Sequence, residues 1–366
     1  MNRHLACAVL ATFASVVGLS EAAHAAANCS NTSVGLVPLN DLGTSLYQGF
    51  EGGLYPGGAN RRPDAHTAGG LQAASRIQPR DRNGNPDPNG KIVVLTFGFS
   101  NTAQESDWLL FFGGGSPLRN PSVEFVNGGI PGLSADRIVK MGALPRPLLD
   151  AELTKAGVTA AQVQVLWYKQ AIESPTGGFP AHAETLRGAN EWILQELKTA
   201  YPNVEIAYLS TRAYGGYGFS SVNPEPYAYE TGFSYKWLIE QQINGDPALN
   251  YDPTLGPVKA PWICWGPYLW ADGETPRKDG WFWRCSDFQA DGTHPSFLGG
   301  VKVGGQVANF FEQDPTSVGW YLSVPPATDV DALPAADWTI GAARPNPFGV
   351  RMAVPVRIQE VQRVEA

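Results

Sequence analysis

Histidine, cysteine and charge are all scarce in this chain. Five His and four Cys stand among 366 residues, and only 16% of the residues are charged. No His-Glu-x-x-His and no Cys/His cluster is present to hold zinc, and so few imidazoles argue against a His-rich catalytic metal site. Neither a Gly-Lys-Ser/Thr phosphate loop nor a dinucleotide fingerprint occurs, so no cofactor is implied. A Gly-x-Ser-x-Gly elbow is also missing, which argues against an α/β-hydrolase proper. The 26 Lys and Arg form no run with interleaved aromatics, and 34 Asp and Glu outweigh them to give a net charge of −8. Such a chain has no electrostatic pull toward phosphate backbones, which argues against nucleic acid as a partner. The apolar run at residues 5–19 is too short to span a bilayer comfortably, and no later one is long enough.

What is abundant is glycine, proline and aromatic surface. The 41 Gly and 30 Pro are together 71 of 366 residues, well above a globular share of roughly 12%. That many breakers disfavour a helical bundle, while 11 Trp, 13 Tyr and 16 Phe rule out disorder. Arg3 and His4 precede the first apolar run, and Ala23-His24-Ala25 offers small residues where a signal peptidase reads them. Residues 1–25 therefore read as a leader, and the chain as secreted, periplasmic or cell-surface. Cys29, Cys264 and Cys285 remain in an oxidising compartment. Cys264 paired with Cys285 would close one Trp-rich loop and leave Cys29 over.

Residues 26–90 lack periodicity and read as an irregular lead-in lying on the core. Short apolar runs at 92–97, 123–126, 163–167, 204–209 and 260–264 have the pattern of buried parallel strands. Helical spacing is clearest at 134–154, 182–200 and 228–243. The alternation predicts a doubly wound, flavodoxin-like, three-layer α/β/α domain over 91–323, with a mainly parallel five-stranded sheet. Chemistry in such a fold sits beyond the carboxyl ends of the strands. Residues 324–337 read as a linker and 338–366 as a tail with a turn and one strand, either an appended strand or a truncated sorting-type segment.

Once the leader is set aside, His66, His182 and His294 are the candidate neutral-pH bases. His66 and His182 read as polar surface residues. His294 stands in Asp291-Gly-Thr-His294-Pro-Ser, with Pro295 suited to the first position of a following helix. There Asp291 can take one ring nitrogen and leave the other free as a base, or can simply cap the turn. Ser100 follows the first strand directly. It is either a helix cap or a nucleophile whose oxyanion meets backbone N–H groups at the helix start. The second strand runs into Asn127-Gly-Gly-Ile-Pro-Gly132, where a glycine lets a backbone N–H approach a ligand closely, and the third into Tyr168-Lys169-Gln170 with side-chain donors. Asp81, Asn83, Asn85, Asp87 and Asn89 alternate like calcium-loop oxygens, but Pro86 and Ile92 break that pattern and a turn is the default. Five Trp from Trp262 to Trp283, and six Tyr between 208 and 235 beside Arg212, could stack on sugar rings, line an acyl pocket or pack in the core. Asn101, Arg212, Tyr214, Trp265 and Trp270 are the candidate substrate-lining residues.

With these residues in place the sequence resembles the SGNH (GDSL-like) hydrolase superfamily. The closing block Asp291-Gly-Thr-His294-Pro-Ser with Lys302 carries the resemblance most strongly, and Val126-Asn-Gly-Gly-Ile-Pro-Gly132 is similar to the second block. Gly98-Phe-Ser100 matches the first in part, with Phe99 where the family has Asp, and Tyr168-Lys-Gln-Ala171 departs from the family's Gly-x-Asn-Asp. Gly98-Phe-Ser-Asn-Thr-Ala-Gln-Glu105 and Asn223-Pro-Glu-Pro226 look like a secreted bacterial branch of it. The Pro345-Asn-Pro-Phe348 turn resembles the opening of C-terminal sorting domains. The superfamily resemblance implies Ser100 as nucleophile, His294 as base and Asp291 as its partner. The oxyanion would be met by Ser100 and Gly132, with Lys169 or Gln170 in place of the family's Asn. The expected function is hydrolysis of a small-molecule or glycan ester, with acetylated carbohydrate as the first candidate. The alternative is a non-catalytic surface or glycan-binding protein that keeps the fold.

Overall fold

Five apolar runs form one parallel sheet in the order β4-β3-β5-β6-β7, described in a computed structural model for residues 27–219 and 222–324. The strands are β3 (Ile92–Gly98), β4 (Val123–Gly129), β5 (Val163–Lys169), β6 (Ile206–Leu209) and β7 (Trp262–Trp265). Every residue of β3, β5, β6 and β7 is buried, which is why these runs read as continuous rather than alternating. Adjacent residues face opposite sides. Thr96 bonds to Ser106 and the Tyr208 ring packs on Phe310 and Phe311, while Tyr168 bonds to Asn190 on the other face.

One face carries α2 (Asp64–Ala74), α3 (Ser100–Gly115) and α8 (Phe297–Gln313), followed by α9 (Val318–Tyr321). The other carries α6 (Ala181–Ala200) and α7 (Tyr227–Ile243), with α4 (Ala135–Met141) against α6 and α5 (Arg146–Lys155) against β4. This is the doubly wound three-layer α/β fold. Its strand order places the switch point between β3 and β5, the position at which open α/β sheets hold their ligands.

The single helix expected over 134–154 is two. Gly142, at φ 65°, ends α4 in the left-handed conformation, and Pro145 precedes α5. The lead-in is more ordered than its composition suggests. It contains α1 (Leu39–Leu42), the two-stranded pair β1 (Leu46–Tyr47) and β2 (Phe50–Glu51), and α2 against the far edge of the sheet. Asp81 organises a turn, accepting from the N–H groups of Asn83 and Asn85 at 2.9 and 2.8 Å. His66 and His182, expected at the surface, are both buried. His66 Nε2 meets the Ile263 carbonyl at 2.8 Å, and His182 lies beside Glu230. The expected leader (1–25), the tail (338–366) and the linker (324–337) except Val324 lie outside the described residues.

The cysteine pairing differs from the expectation. Cys29 is joined to Cys285, with Cα atoms 5.3 Å apart, and Cys264 is a free buried thiol. Sequence proximity misled because Cys264 belongs to β7. There its sulfur receives Arg62 Nη1 at 3.0 Å, and burial pushes the thiol up from its ordinary value. Cys285 instead lies on the rim, where the lead-in begins. Asn28 N–H bonds to the Tyr217 carbonyl at 2.8 Å, and Ala27 N–H to the Ala290 carbonyl at 2.6 Å. Non-reducing peptide mapping should find Cys29 joined to Cys285, with Cys264 alkylated only after unfolding. Cys29→Ser should lower the free energy of unfolding by about 2–5 kcal/mol in denaturant titrations.

Candidate active site

Ser100 is placed by the end of β3. A Cβ on Gly98 would lie 2.1 Å from both the Lys169 carbonyl oxygen and Thr102 Oγ1, so only glycine lets α3 turn back this closely on β5. Phe99 takes the cap position and Ser100 is the first helical residue. The cap alternative for Ser100 therefore does not apply. Its Oγ lies 2.8 Å from His294 Nε2.

His294 is held by its own loop. Asp291 Oδ1 accepts the N–H groups of Thr293 and His294 at 2.9 and 3.0 Å, while Oδ2 meets His294 Nδ1 at 2.5 Å. Burial works against ionisation of Asp291. The bonds from the His294 ring and the two backbone N–H groups outweigh it and hold the carboxyl below its usual value. An ionised Asp291 assigns the proton to Nδ1, leaving Nε2 to accept from the Ser100 hydroxyl. Asn101 Nδ2 donates to the Thr293 carbonyl at 2.8 Å and ties this loop to α3. Pro295 lies just before the helix rather than at its first position, because Ser296 is the cap and α8 begins at Phe297.

Gly132 and Gln170 lie on neighbouring segments, just beyond the ends of β4 and β5. Ile130 N–H bonds to the Gly98 carbonyl at 2.9 Å, which sets the Gly132 loop against the end of β3. Gly132 has φ +79°, and its carbonyl accepts Arg137 Nη1 at 3.0 Å. Gln170 Nε2 donates to the Leu133 carbonyl at 3.1 Å, so this side chain braces that loop. Lys169 departs from the expectation of a rim donor. It is fully buried and its Nζ binds both carboxylate oxygens of Glu105, at 2.6 and 2.5 Å. An ammonium removed from water needs a partner charge, and Glu105 on α3 supplies it. The sequence displayed Glu105 only as part of a motif, with no sign of its partner.

The expected substrate-lining residues are interior ones. Asn101, Arg212, Tyr214, Trp265 and Trp270 are all buried. Arg212 stacks over Phe99 at 5.4 Å and its Nε bonds to Asn223 Oδ1 at 3.3 Å. Tyr214 Oη donates to the Asn31 carbonyl at 2.9 Å, Trp265 Nε1 to the Leu54 carbonyl at 2.5 Å, and Trp270 Nε1 to Glu225 at 2.8 Å. The lead-in covers these rings and satisfies two of their polar ends. Among the described residues no group of three or more His, Cys, Asp or Glu could hold a metal ion, and no helix is long and apolar enough to cross a membrane.

Two measurable consequences follow from ionisable groups drawn away from water, Lys169 fully buried and Glu225 partly so. Lys169→Met leaves Glu105 unpaired and should cost about 3–5 kcal/mol in chemical denaturation, with part recovered in the double variant Lys169→Met/Glu105→Gln. Burial pushes the Glu225 carboxyl from 4.5 up to about 7, against the hydrogen bonds it accepts from Gly215, Trp270 and Tyr229. Between those values the folded protein holds a proton that the unfolded chain has released. The contribution of Glu225 is therefore present below about pH 4.5 and lost as pH rises through 7. In Glu225→Gln, the fall in stability between pH 5 and pH 8 should be smaller than in the parent.

No protein-family model matches this chain, and no curated protein matches it either. Among solved structures it is similar to the lipase Lip_vut3 from a goat rumen metagenome, at 11% identity and TM-score 0.33 over 60% of this chain and 97% of that one. It is similar to the periplasmic domain of a lipopolysaccharide acetyltransferase from Salmonella ser. Paratyphi A, at 11% identity and TM-score 0.34 over 68% and 96%. It is also similar to an extracellular lipase from Streptomyces rimosus, at 9% identity and TM-score 0.30 over 59% and 97%.

Proposed function

We propose that this chain is an exported serine esterase that hydrolyses carboxylic esters. The observation that carries the reading is the relay from Asp291 through His294 to Ser100, with bonds of 2.5 and 2.8 Å. Ser100 Oγ attacks the ester carbonyl while His294 Nε2 takes its proton, and Asp291 stabilises the imidazolium. The oxyanion is met by backbone N–H groups. Ser100 N–H, at the first position of α3, has no intrahelical acceptor, and Gly132 supplies the second donor from the neighbouring loop. The intermediate collapses as His294 returns the proton to the leaving alcohol. Water then repeats the cycle and releases the acid.

Lys169 and Gln170 support the site from beneath in this reading, since Glu105 and the Leu133 carbonyl engage them. Acetylated sugars and a glycan-binding role lose most of the support they drew from the loop aromatics, all of which except Trp281 and Tyr227 are buried. Export agrees with the Cys29–Cys285 disulfide, a bond that persists in oxidising compartments.

A fluorophosphonate probe should label the protein at Ser100, read by peptide mass mapping, and labelling should disappear in His294→Ala. Ser100→Ala should lower kcat on p-nitrophenyl acetate by about 10³-fold or more with an unchanged melting temperature. Folded parent protein that neither reacts with the probe nor turns over the ester would overturn the reading.

A further inference from the structure

While most of the loop aromatics are buried, a different set is left in water along α3 and α8, the helices that begin at Ser100 and just after His294. Phe111 follows Ser100 by 11 residues on α3, about three turns and 16 Å, so both project from one side of the helix. Phe111 is 65% exposed, and on α8 Phe297 and Leu298 are 67% and 53% exposed. Phe297 is the third residue after His294. The Trp108 ring joins the two helices, edge-on to Phe297 at 4.7 Å and to Phe111 at 6.0 Å. Beyond Phe111 a surface groove of about 460 Å³ runs between α3 and α8, lined by Phe112, Pro117 and Ala308 among others. Its one charged lining residue, Glu312, accepts a hydrogen bond from Ser116. Large apolar side chains grouped in water on the two helices that carry Ser100 and follow His294 mark a binding surface.

The reaction decides which half of an ester this surface meets. His294 hands its proton to the leaving oxygen, so the alcohol half must lie on the His294 side of Ser100, where Phe297 stands. The carbonyl oxygen points toward the Gly132 loop. We propose that Trp108, Phe111, Phe297 and Leu298 form a ledge that binds the alcohol half of the substrate, and that this alcohol is an extended apolar one whose far end lies in the groove. The proposal rests on the esterase reading for its orientation. The apolar surface itself does not.

Hexadecyl acetate and ethyl hexadecanoate test it, because they are isomers with the long chain on opposite sides of the ester and that chain is long enough to pass Phe111. The parent should favour hexadecyl acetate in kcat/KM, and Phe297→Ser or Phe111→Ser should reduce that preference about tenfold. Both positions are exposed, so melting temperatures should hold. A preference for ethyl hexadecanoate, or one that neither variant alters, would overturn the ledge. Saturation-transfer NMR with 1-octanol gives a readout independent of turnover. Signal from the parent that is lost in the variants supports the surface even if no ester is hydrolysed, in which case only the esterase reading fails. Equal signal from parent and variants, or none from the parent, removes the ledge while leaving ester hydrolysis standing.

Discussion

The packing of α3 against α8 is the constraint on which the candidate site depends. Ser100 and His294 are 194 residues apart in the chain, and each stands at the start of, or just before, one of these two helices. Trp108 seats against Gly300 and Gly304, where a Cβ would fall 2.2 and 2.5 Å from its atoms. The helices can therefore approach closely enough for Asn101 to reach the Thr293 carbonyl. That bond and the one from Gln289 Nε2 to Gln104 Oε1 tie the His294 loop to α3 over the end of β3. The hydrogen bond between His294 and Ser100 is then a consequence of helix packing rather than of a flexible loop finding its partner.

Beneath this surface the protein holds charges where water cannot reach them. Lys169 and Glu105 form a fully buried pair, and Arg212 lies buried against Phe99. A buried ion pair is weak evidence for stability, because desolvation offsets most of the attraction. Its geometric effect is clearer. It joins β5 to α3 one turn below Ser100, as Thr102 Oγ1 does by donating to the Lys169 carbonyl at 2.9 Å. Both bonds hold the helix start against the end of the strand at the switch point of the sheet.

The fold was legible because its signal is local. Runs such as 163–169 announce a strand buried on both faces wherever they occur, and four of the five runs became strands within two residues of the expected starts and ends; β4 ran on through Asn127 to Gly129. The break at Gly142 was readable in principle, since a glycine followed closely by a proline is a helix-stop pattern. The helix at Asp64–Ala74 was harder. Its apolar face is short and interrupted by Gly69 and Gly70, the latter lying against Trp262, a partner nearly 200 residues away.

For the candidate site, the residue types and spacings of Ser100, Asp291 and His294 were enough to single them out, because a three-residue loop and a strand end constrain side chains locally. The chain alone determined the layered α/β architecture and which few residues could do chemistry. Only the tertiary structure decided which cysteine pairs with Cys29, that Lys169 turns inward to Glu105, that most of the loop tryptophans and tyrosines pack inside, and that phenylalanines of α3 and α8 stand outside. Each of those outcomes depends on burial and on which polar groups remain unpaired. Both are set by neighbours brought together from distant parts of the sequence, and no local pattern encodes them.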